Sequence, residues 1–152
     1  RLIERGDLYI LDLFPIHRGY MCDLCRTFCM GTATSAQKEV WAHVLEAHEV
    51  ARRLIRPGLP ALAVYEQIRT HLERMPLTRG SFTHHAGHGV GMEGWERPWL
   101  NAGSDQVFVE GEVIACEPGL YSDSLRGGIR LEHNYLVTAD GPVALDTFPM
   151  EL

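Results

Sequence analysis

Four carboxylates and one imidazole occupy settings where a folded chain needs a reason to place them. Asp12 lies inside the apolar run Ile10-Leu11-Asp12-Leu13-Phe14, and Asp23 sits in the next strand-like stretch, Tyr20 to Phe28. His88 is held in Gly87-His88-Gly89-Val90-Gly91, Glu117 follows Val113-Ile114-Ala115-Cys116, and Glu132 ends Gly128-Ile129-Arg130-Leu131. A carboxylate in an apolar strand costs free energy unless it is paired or bound to a metal. Taken alone, Asp12 reads as a strand-end aspartate satisfied by backbone amides. Taken together, an Asp pair, one His and two strand-end Glu form an oxygen-rich donor set that suits Mn, Co, Fe or Zn pairs rather than a tetrahedral thiolate zinc.

The elements that must position these residues follow from the pattern. Leu8 to Phe14 and Tyr20 to Phe28 read as a hairpin around Pro15 to Gly19, since both runs are rich in strand formers. Cross-strand neighbours approach to about 5 Å, which would bring Asp12 and Asp23 to one place. Two like charges there repel, and a dication between them removes the repulsion. Arg26 offers a competing partner for Asp23, but three residues along a strand it points to the opposite face.

Thr34 with Gln37 predicts a capping box opening a helix to about Ile55, and Pro60 sits at the first turn of a second helix reaching Met75. Short β-rich runs are expected at Val107–Val109, Val113–Cys116, Gly128–Leu131 and Tyr135–Val137, with a turn at Asp140-Gly141. A hairpin, two helices and then a mostly antiparallel sheet predict an α+β domain.

Composition removes other classes. The chain has 152 residues, an apolar fraction of 45%, a formal charge of −6 and no cluster of Lys and Arg, which argues against a nucleic-acid or anionic-membrane surface. No apolar stretch approaches the ~20 residues that cross a bilayer. The opening Arg1-Leu2-Ile3-Glu4 carries no signal-type leader, and the chain is expected to be a fragment starting mid-domain. Cys22, Cys25 and Cys29 resemble a zinc spacing, but strand alternation separates Cys22 from the other two. With Cys116 they are expected to be reduced thiols of a cytoplasmic protein.

Five segments taken in order, namely Asp12 with Gly19-Tyr20, Asp23-Leu24-Cys25-Arg26-Thr27-Phe28, Gly87-His88-Gly89-Val90-Gly91, Glu117-Pro118-Gly119-Leu120-Tyr121 and Gly128-Ile129-Arg130-Leu131-Glu132, resemble the pita-bread metallopeptidases. That family includes methionine aminopeptidase, Xaa-Pro aminopeptidase, prolidase and creatinase. The resemblance implies a pita-bread fold, a curved and mostly antiparallel sheet with helices on one face, with residues 1–152 as a single partial catalytic domain whose first half is truncated. It also implies two divalent metal ions. Asp12 would chelate one, Asp23 and Glu132 would bridge both, and His88 and Glu117 would complete the second.

By the same resemblance, Glu117 and His84 take catalytic parts, and Trp95, Arg130 and Tyr121 face the substrate. The activity it implies is that of an aminopeptidase or dipeptidase of Xaa-Pro type, cleaving short peptides with a metal-bridged hydroxide. The alternative is a non-peptidase member of the same fold acting on a small nitrogenous or sulfonium compound. A metal-free binding module is disfavoured because all five ligands are present. The partners implied are a short peptide or small molecule and, for the full-length parent, further copies of itself. This sequence departs from the family pattern at Trp95, where a substrate-touching His is usual, and at Cys25, where Thr is usual.

Overall fold

The structure is a computed structural model that describes residues 1–152. Its elements, in chain order, are strands β1 (Leu8–Leu13), β2 (Ile16–His17), β3 (Tyr20–Met21) and β4 (Leu24–Cys29), then helices α1 (Ser35–Leu54) and α2 (Ala61–Leu72). Strands β5 (Gly87–Gly89), β6 (Glu96–Leu100), β7 (Val113–Cys116), β8 (Gly119–Ser122), β9 (Gly127–Arg130), β10 (His133–Thr138) and β11 (Gly141–Ala144) follow. The largest sheet has five strands in the order β11-β10-β7-β5-β6, and the pairs β1-β4, β2-β3 and β8-β9 form separate ribbons. Every pairing is antiparallel.

Both helices form where the sequence places them, for the reasons it gives. Thr34 Oγ1 accepts from the Gln37 amide and Gln37 Oε1 accepts from the Thr34 amide, so the capping box is complete. The buried Gln37 side chain then donates to the carbonyls of Gly6 and Leu125, fixing the helix start against the rest of the chain. Val40, Val44, Ala47 and Ala51 of α1 meet Val64, Ile68 and Leu72 of α2 in one continuous apolar cluster with residues of the sheet strands. From the same face of α1, His48 Nε2 reaches the Leu131 carbonyl at 2.9 Å. Burial pushes that imidazole down to about 3, so it stays neutral and ties the helix to the strand end that carries Glu132.

Three expectations need correction. The stretch Tyr20 to Phe28 is not one strand. Met21 donates to the Gly91 carbonyl and Cys22 to the Pro15 carbonyl, which turns the chain between β3 and β4 and leaves Asp23 at the break. The register accordingly sets Asp12 opposite Cys25, with Asp23 diagonal to it on the same face. Val107–Val109 is also no strand, because it pairs only through an isolated bridge between Val107 and Pro60. It instead latches the turn between the helices, with Gly58 donating to the Phe108 carbonyl and Phe108 to the Leu59 carbonyl. The third correction adds strands β5 and β6, which are absent from the β-rich runs expected from the sequence.

Strand β5 is invisible to composition because its glycines serve close approach rather than turning. A Cβ built on Gly89 would stand 2.2 Å from the Arg97 carbonyl oxygen, and one on Gly87 would stand 2.1 Å from that of Ala115. Only the bare backbone lets β5 fit between β6 and β7 with His88 aimed inward. We expect Gly89→Ala to destabilise the protein by ~1–3 kcal/mol, the cost of forcing atoms into a packed interior. A urea midpoint unchanged by that substitution would contradict the strand spacing.

Candidate functional site

The interior ends of several strands converge. His88 comes from β5, Glu117 directly follows β7, Glu132 lies between β9 and β10, Asp12 is on β1 and Asp23 precedes β4. His88 and Glu132 are fully buried, and Asp23 and Glu117 nearly so. Asp12 is the most open, with its side chain 29% exposed.

The main chain of Asp23 is held by a side chain, which leaves its carboxylate facing His88. The Asp23 amide donates to Asn134 Oδ1 at 3.5 Å, and Asn134 Nδ2 donates to the Asp23 carbonyl. Asn134 thus substitutes for the ladder partner that Asp23 lacks at the strand break. Arg26, the competing partner weighed from sequence, turns away as its strand position requires. It pairs with Asp146 at 3.0 Å and donates to the carbonyls of Glu132, Phe148 and Pro149. Asp146 in turn accepts from His133 Nδ1 at 2.7 Å.

His88 Nδ1 lies 2.9 Å from the Gly89 carbonyl oxygen. A carbonyl accepts only, so Nδ1 carries the proton and Nε2 faces the site. Nε2 is 3.4 Å from Asp23 Oδ2 and 3.2 Å from Glu117 Oε1, yet is aligned for a hydrogen bond with neither. A bare nitrogen lone pair would face two carboxylates there, so a proton or another cation must lie between them. Burial opposes the imidazolium, but the two carboxylates outweigh it and push His88 up to about 10. Glu132 is more exposed to conflict. Both its oxygens are buried and without a hydrogen-bond partner, and burial, reinforced by Glu117, Asp23 and Asp12, pushes its carboxyl far above the usual range. Burial raises Asp12 as well, against the pull of Arg130.

Two groups of donor atoms share Glu132. Atoms of Asp23, His88 and Glu132 lie within 4.8 Å of one another, and so do atoms of Asp12, Cys25 and Glu132. Four carboxylates therefore surround a space to which the chain contributes one guanidinium. Arg130 Nη2 pairs with Asp12, while its Nε stands 3.3 Å from Cys25 Sγ and 3.7 Å from Glu117 Oε2.

The remaining sequence-derived site residues form a second ring. His84 Nε2 and the Tyr121 hydroxyl are 2.9 Å apart, and burial lowers His84 below the usual imidazole range, which keeps it neutral. Trp95 is 62% exposed and meets Phe14 and His88 edge-on, with centroids 6.4 Å away in both cases. It lines a small apolar recess with Phe14, Met21 and Gly94. It does not pack beneath Trp99, whose ring lies instead against His85 and His88. Two further residues join the site without being expected there from the sequence: His85, whose Nδ1 is 3.4 Å from Glu117 Oε1, and Asn134. The His84-His85 doublet was the available signal for the first; nothing local marks the second.

This curved antiparallel sheet, backed by two helices and closed around an acidic cluster, is the pita-bread fold. The prolidase from Pyrococcus horikoshii superposes on it with a TM-score of 0.92 at 36% identity, covering 100% of this chain and 43% of that one. Dipeptidase PepE from Mycobacterium ulcerans does so with a TM-score of 0.91 at 30% identity, covering 100% and 41%. The sequence profile of metallopeptidase family M24 matches residues 1–139, and the chain belongs to that family. Among curated relatives, the Xaa-Pro dipeptidase of Pyrococcus horikoshii is 36% identical over 150 residues, which is 99% of this chain and 42% of the relative. The probable dipeptidase PepE of Mycobacterium tuberculosis is 34% identical over 153 residues, 100% of this chain and 40% of the relative. The chain thus spans about two fifths of the length of these relatives. No helix is long and apolar enough to cross a membrane.

Proposed function

We propose that this chain supplies the metal-binding part of a dinuclear metallopeptidase that cleaves short peptides of Xaa-Pro type. The observation that carries the reading is Glu132, a fully buried carboxylate whose two oxygens have no partner and which belongs to both donor groups. Stranding an ionised carboxylate in this way costs several kcal/mol unless a cation meets it. The donor set fits divalent ions: Asp12 on one side, His88 and Glu117 on the other, and Asp23 and Glu132 between. Two dications also offset four carboxylates that face a single guanidinium. Mn, Co, Fe and Zn all accept such oxygen and imidazole donors. When bound, the ions supply Lewis acidity toward the peptide carbonyl and acidify water.

The chain's own residues then have defined work. Glu117, beside His88 and His85, is placed to take a proton from the attacking water and return it to the leaving amine. Arg130 holds Asp12 in position through one nitrogen and faces Glu117 through another. The His84–Tyr121 pair presents a neutral imidazole and a phenol at 2.9 Å, hydrogen-bonding groups that suit a peptide carbonyl or carboxylate. The relatives named as Xaa-Pro dipeptidases support peptides as the substrate class.

Trp95 is expected to limit the rate. An imidazole at that position could donate to the substrate carbonyl as charge develops on its oxygen, a contribution worth about 10²–10³ in turnover. An indole standing edge-on to Phe14 offers one N–H and a large apolar face instead. The whole enzyme is therefore expected to be slow on ordinary Xaa-Pro dipeptides, and Trp95→His to raise kcat by about tenfold or more. Steady-state kinetics on one such dipeptide tests both halves. Fast turnover by the wild type, with no gain in the variant, would remove Trp95 from the account; no hydrolysis by either would count against the peptidase reading.

A further inference from the structure

The four cysteines are free thiols in different surroundings. Cys22 Sγ takes Asn134 Nδ2 at 3.6 Å, Cys29 lies 4.0 Å from Gln37, and Cys116 belongs to the apolar core cluster. Cys25 is fully buried but lies outside that cluster. The β1–β4 register places it directly opposite Asp12, so both side chains leave the same face of the ribbon toward Glu132.

Three features mark the sulfur as a donor atom rather than as filler. Its Sγ, a carboxylate oxygen of Asp12 and one of Glu132 lie within 4.8 Å of one another. A tetrahedral ion with bonds of ~2.0–2.2 Å to oxygen and ~2.3 Å to sulfur draws its donors together on this scale. The Glu132 oxygens at the centre of the group are buried and lack any partner, which calls for a cation independently of the cysteine. Finally, Arg130 Nε donates to Cys25 Sγ at 3.3 Å, so the sulfur accepts, as a metal-bound thiolate with a supporting hydrogen bond does.

We propose that Cys25 is a ligand of the ion held by Asp12 and Glu132, giving that position a mixed oxygen and sulfur donor set while the Asp23–His88–Glu132 position keeps oxygen and nitrogen donors. On binding, the metal replaces the thiol proton, which passes to the buffer. The proposal rests on the dinuclear reading above and makes the two positions chemically unequal. Thiolate donation favours Zn, Co or Fe over Mn or Mg, so the Asp12 position selects softer ions than its neighbour.

Cobalt(II) loading of the whole protein, followed by absorption spectroscopy and cobalt analysis, tests this without reference to turnover. Two cobalt ions per chain with a near-ultraviolet thiolate-to-cobalt charge-transfer band are expected. The band should vanish in Cys25→Thr and Cys25→Ser and persist in Cys22→Ser. Zinc affinity of the Cys25→Thr protein should fall at least about tenfold, since even indirect partners of a metal are worth 10–100-fold, while its manganese affinity changes less. Two bound cobalt ions without the band in the wild-type protein would overturn the cysteine ligand and leave the dinuclear reading standing. Absence of bound cobalt would instead overturn the reading beneath it. The wild-type spectrum decides even if a Cys25 variant fails to fold.

Discussion

Replacing Glu132 with Gln is expected to abolish binding of at least one metal ion, cut turnover by 10³ or more, and leave the metal-free fold as stable as before or more so. The opposite signs follow from one cause. In the metal-free protein Glu132 is a buried carboxyl without a hydrogen-bond partner, crowded by Glu117, Asp23 and Asp12. Gln keeps the shape of the side chain but cannot ionise, so the cost of a charge buried among three other carboxylates disappears. The same group belongs to both donor sets, so its loss weakens both positions together. A single electrostatic donor at a reacting centre is already worth about 10²–10³, and this change removes more than one. Metal analysis, dipeptide kinetics and a thermal melt of the metal-free variant together read the outcome. A variant that keeps two ions, or a metal-free variant less stable by several kcal/mol, would mean that Glu132 is structural.

Glu117→Gln is expected to behave differently, with turnover falling by about 10²–10⁴, the range of general acid–base catalysis, while at least the ion held by Asp12 and Glu132 remains bound. Gln keeps the size and the oxygen that faces His88 but cannot carry a proton. In the wild type burial works against the charge on Glu117, yet His88, His85 and Arg130 hold its carboxyl below the usual range. It is therefore ionised at neutral pH and able to receive a proton. Single-turnover kinetics separates the proton role from binding: a variant with normal kcat and a raised KM would make Glu117 a substrate-positioning group instead.

Much of this was legible in the sequence because each feature is local. The capping box is two residues three apart, the helix faces repeat at helical spacing, and the carboxylates of the site each end or interrupt an apolar run. What was not legible depends on contacts distant in sequence. The break before β4 exists because Gly91 and Pro15 take the amides of Met21 and Cys22 and Asn134 takes that of Asp23; within Tyr20 to Phe28 nothing signals it. Strand β5 is a strand because β6 and β7 press against glycines, residues that composition does not count as strand formers. Arg130 was expected against the substrate, and its closest partner in the fold is Asp12. That pairing needs β9 packed on the β1–β4 ribbon, where Thr27 Oγ1 accepts from the Arg130 amide and donates to its carbonyl.

The most direct test is anomalous diffraction from crystals of the manganese- or cobalt-loaded whole protein. Two peaks about 3.5–4 Å apart are expected, the separation of two-metal hydrolytic sites, with Asp23 and Glu132 bonded to both, Asp12 at one, and His88 and Glu117 at the other. No peak, or a single peak that Glu132 does not touch, would contradict it.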